Sequence, residues 1–143
     1  HYQLGVIYQE MSIFDLAILE YQIYLNTYRS DPIAYRLIGN SYMNLNNYQD
    51  AIINYRKASE LFNHEDINTL YHLGKCYFFI EDFVNSTKYY KSIIRIEHNY
   101  PEAHSELVKT YYALNKFKEA KKECDILFML DRSLFNTLEY CYN

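Results

Sequence analysis

The chain has 143 residues, half of them hydrophobic and 22% charged, with a formal net charge of −4. This is the composition of an ordered domain rather than a disordered one. The acidic balance argues against nucleic acid, whose binders carry a basic patch or stripe. The densest basic cluster, Lys116, Lys118, Lys121 and Lys122, is interrupted by Glu119 and Glu123 and reads as a solvated helix face.

An apolar run such as 76–80 falls far short of the roughly 20 residues that span a bilayer, so no membrane is expected as a partner. No basic segment followed by an apolar stretch marks a signal peptide. Cys76, Cys124 and Cys141 are too few and too scattered for a disulfide framework. All three fall at apolar positions of a helical pattern, where a free cysteine acts as a small hydrophobe. They are therefore read as reduced packing residues of an intracellular protein, cytoplasmic with the nucleus open. The sequon Asn85-Ser86-Thr87 lies inside a predicted helix and is read as chance.

The chain reads as a single domain, 1–143, of successive similar units. In the first, 1–31, Leu4, Gly5 and Tyr8 are followed by Phe14, Ala17 and Tyr21. The second, 32–66, repeats the columns as Ile38, Gly39, Tyr42, Tyr48, Ala51 and Tyr55. The third, 67–100, has Leu73, Gly74, Tyr77, Phe83, Ser86 and Tyr90. The fourth, 101–134, has Leu107, Val108, Tyr111, Phe117, Ala120 and Cys124. The glycines are 34 and 35 residues apart. A partial fifth unit, 135–143, continues the apolar pattern through Leu138, Cys141 and Tyr142, so the chain, which begins at His1, reads as a piece of a longer array.

Each unit reads as two helices. Over 32–45, Tyr35, Ile38, Tyr42 and Leu45 form one apolar stripe at threes and fours, and over 48–61 a second stripe runs from Tyr48 to Leu61. Two-residue polar breaks, Asn46-Asn47, Glu81-Asp82 and Asn115-Lys116, separate the helices of a pair. Pro32 and Pro101 suit a first helical turn, and Asp66 suits an N-cap in the one loop with an inserted residue, His64-Glu65-Asp66. Glycine inside a helix costs about 1 kcal/mol relative to alanine. Gly39 is expected to offset this by meeting Ala51 across the pair, letting the two backbones approach closely. Where Val108 replaces glycine, the fourth pair is expected to stand slightly further apart.

Helix pairs this short bury their apolar faces only by stacking on one another. The pattern Leu-Gly-x-x-Tyr, then an aromatic, then Ala, resembles the tetratricopeptide repeat over essentially the whole chain. It departs from that pattern in having Arg29, Asn63, His98 and Arg132 where proline usually closes each repeat. The resemblance implies an all-α fold: an antiparallel helix-pair, right-handed superhelical solenoid of four repeats plus the start of a fifth.

No phosphate loop, Gly-x-Ser-x-Gly or His-Glu-x-x-His is present, so neither catalysis nor a cofactor is expected. His72 and Cys76 stand four apart, a spacing seen in metal sites, but no second ligand pair accompanies them and they are read as packing residues.

The resemblance further implies a concave groove lined by the first helix of each pair. By phase the residues that face it are Tyr2, Val6 and Gln9; Arg36, Asn40 and Met43; Tyr71, Lys75 and Phe78; and Ser105, Lys109 and Tyr112. Aromatic anchors beside Arg36, Lys75 and Lys109 suit a peptide carrying apolar and acidic side chains. An inner surface packed against the parent's own chain stays open. Some proteins with this repeat clamp chaperone C-terminal carboxylates with Lys, Asn, Asn, Lys and Arg. Here those slots hold Tyr2, Val6, Leu37, Asn68 and His72, or one unit on Arg36, Asn40, His72, Glu102 and Glu106, and two acids in place of bases exclude that role. The expected function is a non-enzymatic scaffold docking a partner segment. The alternatives are an architectural subunit of a large assembly and a regulatory appendage of an enzyme domain elsewhere.

Overall fold

Every unit of the repeat folds as a pair of helices joined by one kind of turn. In the computed structural model, which describes residues 1–142, the pairs are α1 (Tyr2–Glu10) with α2 (Phe14–Thr27), α3 (Pro32–Asn44) with α4 (Tyr48–Leu61), α5 (Ile67–Phe79) with α6 (Phe83–Ile96), and α7 (Pro101–Ala113) with α8 (Phe117–Leu130). A short α9 (Arg132–Asn136) and a 3-10 turn (Glu139–Tyr142) follow, and no strand occurs among the described residues. The fold is an all-α helix-pair solenoid. The chain divides into two compact units, His1–Cys76 and the part from Tyr77 onward, the division falling inside α5.

The turn within each pair is a Schellman motif, in which two N–H groups beyond the helix return to its last free carbonyls. Asn46 N–H donates to Met43 O at 3.0 Å and Asn47 N–H to Tyr42 O at 2.9 Å. The same two bonds run from Ser12 and Ile13, from Glu81 and Asp82, and from Asn115 and Lys116. The first residue of each turn is left-handed: Ser12 (φ 60), Asn46 (57), Glu81 (63) and Asn115 (57). That conformation costs a residue with a side chain about 1–2 kcal/mol, and asparagine bears it best, which explains its place in two of the polar breaks. The accepting carbonyls at the 6→1 step belong to Tyr8, Tyr42, Tyr77 and Tyr111, so the tyrosine column marks where the first helix stops.

Acids open α3 and α5. Asp31 accepts from Ile33 N–H at 2.9 Å, and Pro32 occupies the position where no N–H is needed. Asp66 accepts from Thr69 N–H at 2.9 Å, as its sequence position implies. The inserted residue is absorbed just before it, where Asn63 (φ 54) and His64 (φ 60) are both left-handed.

In the first unit one core cluster brings together Ala17, Ile18, Tyr21, Leu25, Ala34 and Ile38. Burying each large aliphatic there contributes roughly 1.5–3 kcal/mol. The glycines in this unit have a different partner from the one the sequence implied. A Cβ on Gly39 would meet ring carbons of Tyr55 at 2.7 Å, and one on Gly5 would meet the Tyr21 ring at 2.7 Å. It is the tyrosine ring, rather than the alanine, that needs the bare backbone. Both rings are fully buried. In the fourth pair Val108 takes the glycine slot and Cys124 the tyrosine slot, both buried in one cluster with Leu127 and Leu138. The volume added on one helix is removed from the other.

Cys124 brings a correction. It is disulfide-bonded to Cys141, with 5.5 Å between the Cα atoms, a normal separation for such a bond. Only Cys76 is free, so the cysteines give no support to a reducing compartment. The topology supplies the reason. Asp131 alone separates α8 from α9 and caps both, accepting from Leu134 N–H at 2.9 Å. The chain therefore turns back at once, and Leu138 and Cys141 return to the face of α8.

His104 on α7 is a buried polar group of this unit. Its Nδ1 meets Glu123 Oε2 at 2.5 Å and its Nε2 donates to His98 O at 3.0 Å. Burial alone would keep the ring neutral, but the hydrogen bonds to Glu123 and His98 and the Glu123 charge outweigh it and raise the pKa. A raised folded-state pKa means the stabilisation is present below the unfolded value of about 6.5 and is lost as pH rises through the folded value.

Two measurements check this description. Thiol titration of the denatured chain without reductant should find one reactive group, Cys76, and three after reduction; three without reductant would remove the disulfide. Thermal unfolding should show stability falling as pH rises above about 6.5, a slope that Glu123→Gln should flatten; an unchanged slope would detach the His104–Glu123 pair from it.

Candidate interaction face

The residues that the repeat phase assigns to the face of the first helices lie in both units, and each unit is described by itself. In the first, the column tyrosine that lies against the glycine also reaches this face. Tyr55 O–H donates to Asn40 Oδ1 at 2.6 Å and lies 3.8 Å from Met43 Sδ. One repeat earlier Tyr21 O–H donates to Gln9 Oε1 at 2.9 Å. With its oxygen engaged, Asn40 has its NH₂ group left to offer a partner. Burial raises the pKa of both tyrosines, that of Tyr21 to about 12, so both hydroxyls stay protonated and act as donors. Tyr2 and Val6, expected on the same face, pack against the core, Tyr2 edge-on to Tyr21.

Arg36 is tied down. Its guanidinium donates to Asp66 Oδ2 at 3.2 Å and lies 5.8 Å from the Phe62 ring centre. Asp66 is the N-cap of α5, so Arg36 also braces the inserted loop. Lys75 lies over the Tyr71 ring at 5.8 Å, a cation–π arrangement that leaves its ammonium able to meet an anion. His72 is stacked on Tyr55 with centroids 5.5 Å apart. Burial lowers its pKa against the pull of the Asn68 carbonyl, and the charges of Lys75 and Arg36 lower it further. His72 therefore lies in the field of Arg36, Lys75 and Asp66, with the Asp66 charge set against Arg36. Cys76 is fully buried, its thiol pushed up to about 12 by burial, and among the described residues no group of three potential metal ligands forms.

In the second unit Phe78 packs edge-on to Phe83 at 5.2 Å. Lys109 donates to Glu106 Oε1 at 2.8 Å, which offsets its charge. Ser105 is buried. Tyr112 stands against Phe117 at 5.0 Å and against Tyr140 at 4.5 Å, placing it in a cleft with the C-terminal turn. The carboxylates that pair with Arg36 and Lys109 are missing from any reading of the first helices' phase alone. Asp66 was recognisable only as a cap, while Glu106 stands three residues before Lys109, a spacing that the sequence does display.

Residues 32–64 match the tetratricopeptide repeat family. That segment, α3 and α4, carries the tetratricopeptide repeat. No curated protein sequence matches it. Among solved structures, that of MamA superposes with a TM-score of 0.89 at 19% identity, covering 96% of this chain and 80% of that one. YrrB, described as a TPR protein with an unusual peptide-binding site, superposes with a TM-score of 0.81 at 19% identity, covering 92% of this chain and 67% of that one. At these identities the likeness is one of fold. The tetratricopeptide segment contains the Gly39–Tyr55 pair together with Arg36, Asn40 and Met43 of the candidate face. No helix among the described residues is long and apolar enough to cross a membrane.

Proposed function

We propose that this chain is a non-enzymatic protein-interaction scaffold, and that partner segments dock on the face of its first helices, for which the first unit offers Arg36, Asn40, Met43, Tyr71 and Lys75 and the second Phe78, Lys109 and Tyr112. The supporting observation is the Lys75 ammonium over the Tyr71 ring, together with the Asn40 amide oriented by Tyr55. It suits a segment with an acidic side chain next to an apolar anchor. YrrB, of similar fold, is described as having a peptide-binding site, which supports the same class of activity. Lys75 carries more of the electrostatic attraction than Arg36 or Lys109, because those two already face Asp66 and Glu106.

A second reading, an architectural subunit that packs by its surface helices, has one observation in its favour. Leu4 is 40% exposed, while Ile38, Leu73 and Leu107 in the same column are at 1%, 0% and 1%. Ile7 and Met11 continue that exposed stripe along α1, and a helix laid on it would bury all three.

Peptides selected from a random library on the intact chain separate the two. The docking reading predicts acidic-apolar sequences whose affinity falls about ten-fold with Lys75→Glu, is weakened by salt, and is unchanged by Lys57→Glu on α4. Selected peptides indifferent to Lys75→Glu but lost with Leu4→Asp would overturn docking in favour of the architectural reading.

A further inference from the structure

A concentration of half-exposed aromatic rings lies around the C-terminal turn. Phe117 (52%), Tyr140 (43%) and Tyr142 (61%) line an open cleft of about 890 Å³, with Phe128 and Phe135 between them. The rings form two walls. On one side Tyr112 contacts Phe117 and Tyr140. On the other Phe135 stands edge-on to Phe128 at 5.1 Å and to Tyr142 at 5.5 Å. The Cys124–Cys141 disulfide lies between the walls, and Lys118 and Lys121 stand on the α8 side with Asp125.

Such rings are costly to leave in water and offer a slot for one large apolar side chain. The two lysines lie on the same surface of α8, three residues apart, and Asp125 offsets only one of them. An apolar occupant flanked by acidic residues therefore meets both the walls and the charge of the rim, whereas basic flanks are repelled. We propose that this cleft is a second binding site, for a peptide segment presenting a large apolar or aromatic side chain between acidic residues, and that the disulfide is a structural part of it. Leu138 and the disulfide hold the C-terminal turn that carries Tyr140 and Tyr142 against α8. When a dithiol reduces the bond, two electrons and two protons pass to the cysteine sulfurs and the reagent becomes its own disulfide; the turn is then held by non-covalent contacts, those of Leu138 and of the Tyr140 and Tyr142 rings. The site adjoins the face of the first helices at Tyr112, which belongs to both.

The test uses the intact oxidised chain and a fluorescein-labelled peptide with a Phe-Leu centre and two acidic residues on each side, followed by anisotropy. Two control peptides carry basic flanks or an Ala-Ala centre. The acidic Phe-Leu peptide should bind at least ten-fold more tightly than either control. Phe117→Ala and Lys121→Glu, both exposed positions, should each weaken it several-fold, whereas Lys75→Glu should leave it unchanged. Reduction, and separately Cys141→Ser, should weaken it about ten-fold while circular dichroism keeps its helical signal. Equal binding of the three peptides, or indifference to both Phe117→Ala and Lys121→Glu, overturns the site. Full affinity after reduction overturns the role of the disulfide. Loss of binding with Lys75→Glu would assign the peptide to the first helices' face instead.

Discussion

The contact between a glycine on the first helix of a pair and a tyrosine ring on the second is the constraint on which the rest depends. At Gly5 and Gly39 the ring lies so close that a single methyl group would overlap it. A glycine that weakens its own helix by about 1 kcal/mol is kept because an aromatic side chain, worth 150–250 Å² of buried surface, fills the space it leaves. The fourth pair obeys the same constraint with other residues: a valine is accommodated because the opposing ring has become a cysteine. Position and volume are coupled across the pair, and neither column is free to vary alone.

The same tyrosine links core to surface. Its ring is fixed against the glycine, so its hydroxyl emerges at a fixed place and orients Gln9 in one repeat and Asn40 in the next. The amide of Asn40 is held before any partner arrives, which reduces the ordering cost of binding. Electrostatics on that face are moderated in a comparable way. Asp66, engaged as a helix cap, also holds Arg36, and Glu106 holds Lys109. In the fourth pair the ring is absent, and its replacement is used for a covalent link to the C-terminal turn.

The period of the glycines and the stripes at threes and fours located the helices closely: 32–45 was read where Pro32–Asn44 forms, and 48–61 coincides with Tyr48–Leu61. Asp66 was legible as a cap because an acid just before an apolar helical stripe has few other uses. The partner of Gly39 was not, since Ala51 and Tyr55 lie on the same helix one turn apart and only side-chain direction decides which covers the glycine. The disulfide was hidden for a related reason. A half-cystine and a buried thiol occupy the same apolar positions, and the one-residue link at Asp131 that returns Cys141 to α8 leaves no mark in the hydrophobic pattern. The residues proposed for the interaction face were chosen by phase, which assigns a side of the helix but not the partners Asp66, Glu106 and Tyr55 that the side chains find there.

A double-mutant cycle at Gly39 and Tyr55 tests the coupling most directly, with Gly39→Val, Tyr55→Ser and their combination compared by thermal and denaturant unfolding. Serine serves as a thiol-free stand-in for the cysteine of the fourth pair. Each single change should destabilise the chain, the first by overpacking and the second by leaving a cavity. The pair should recover part of the loss, with an interaction energy of about 1–3 kcal/mol. Strictly additive effects would contradict the account, because they would mean that the ring and the glycine do not constrain each other.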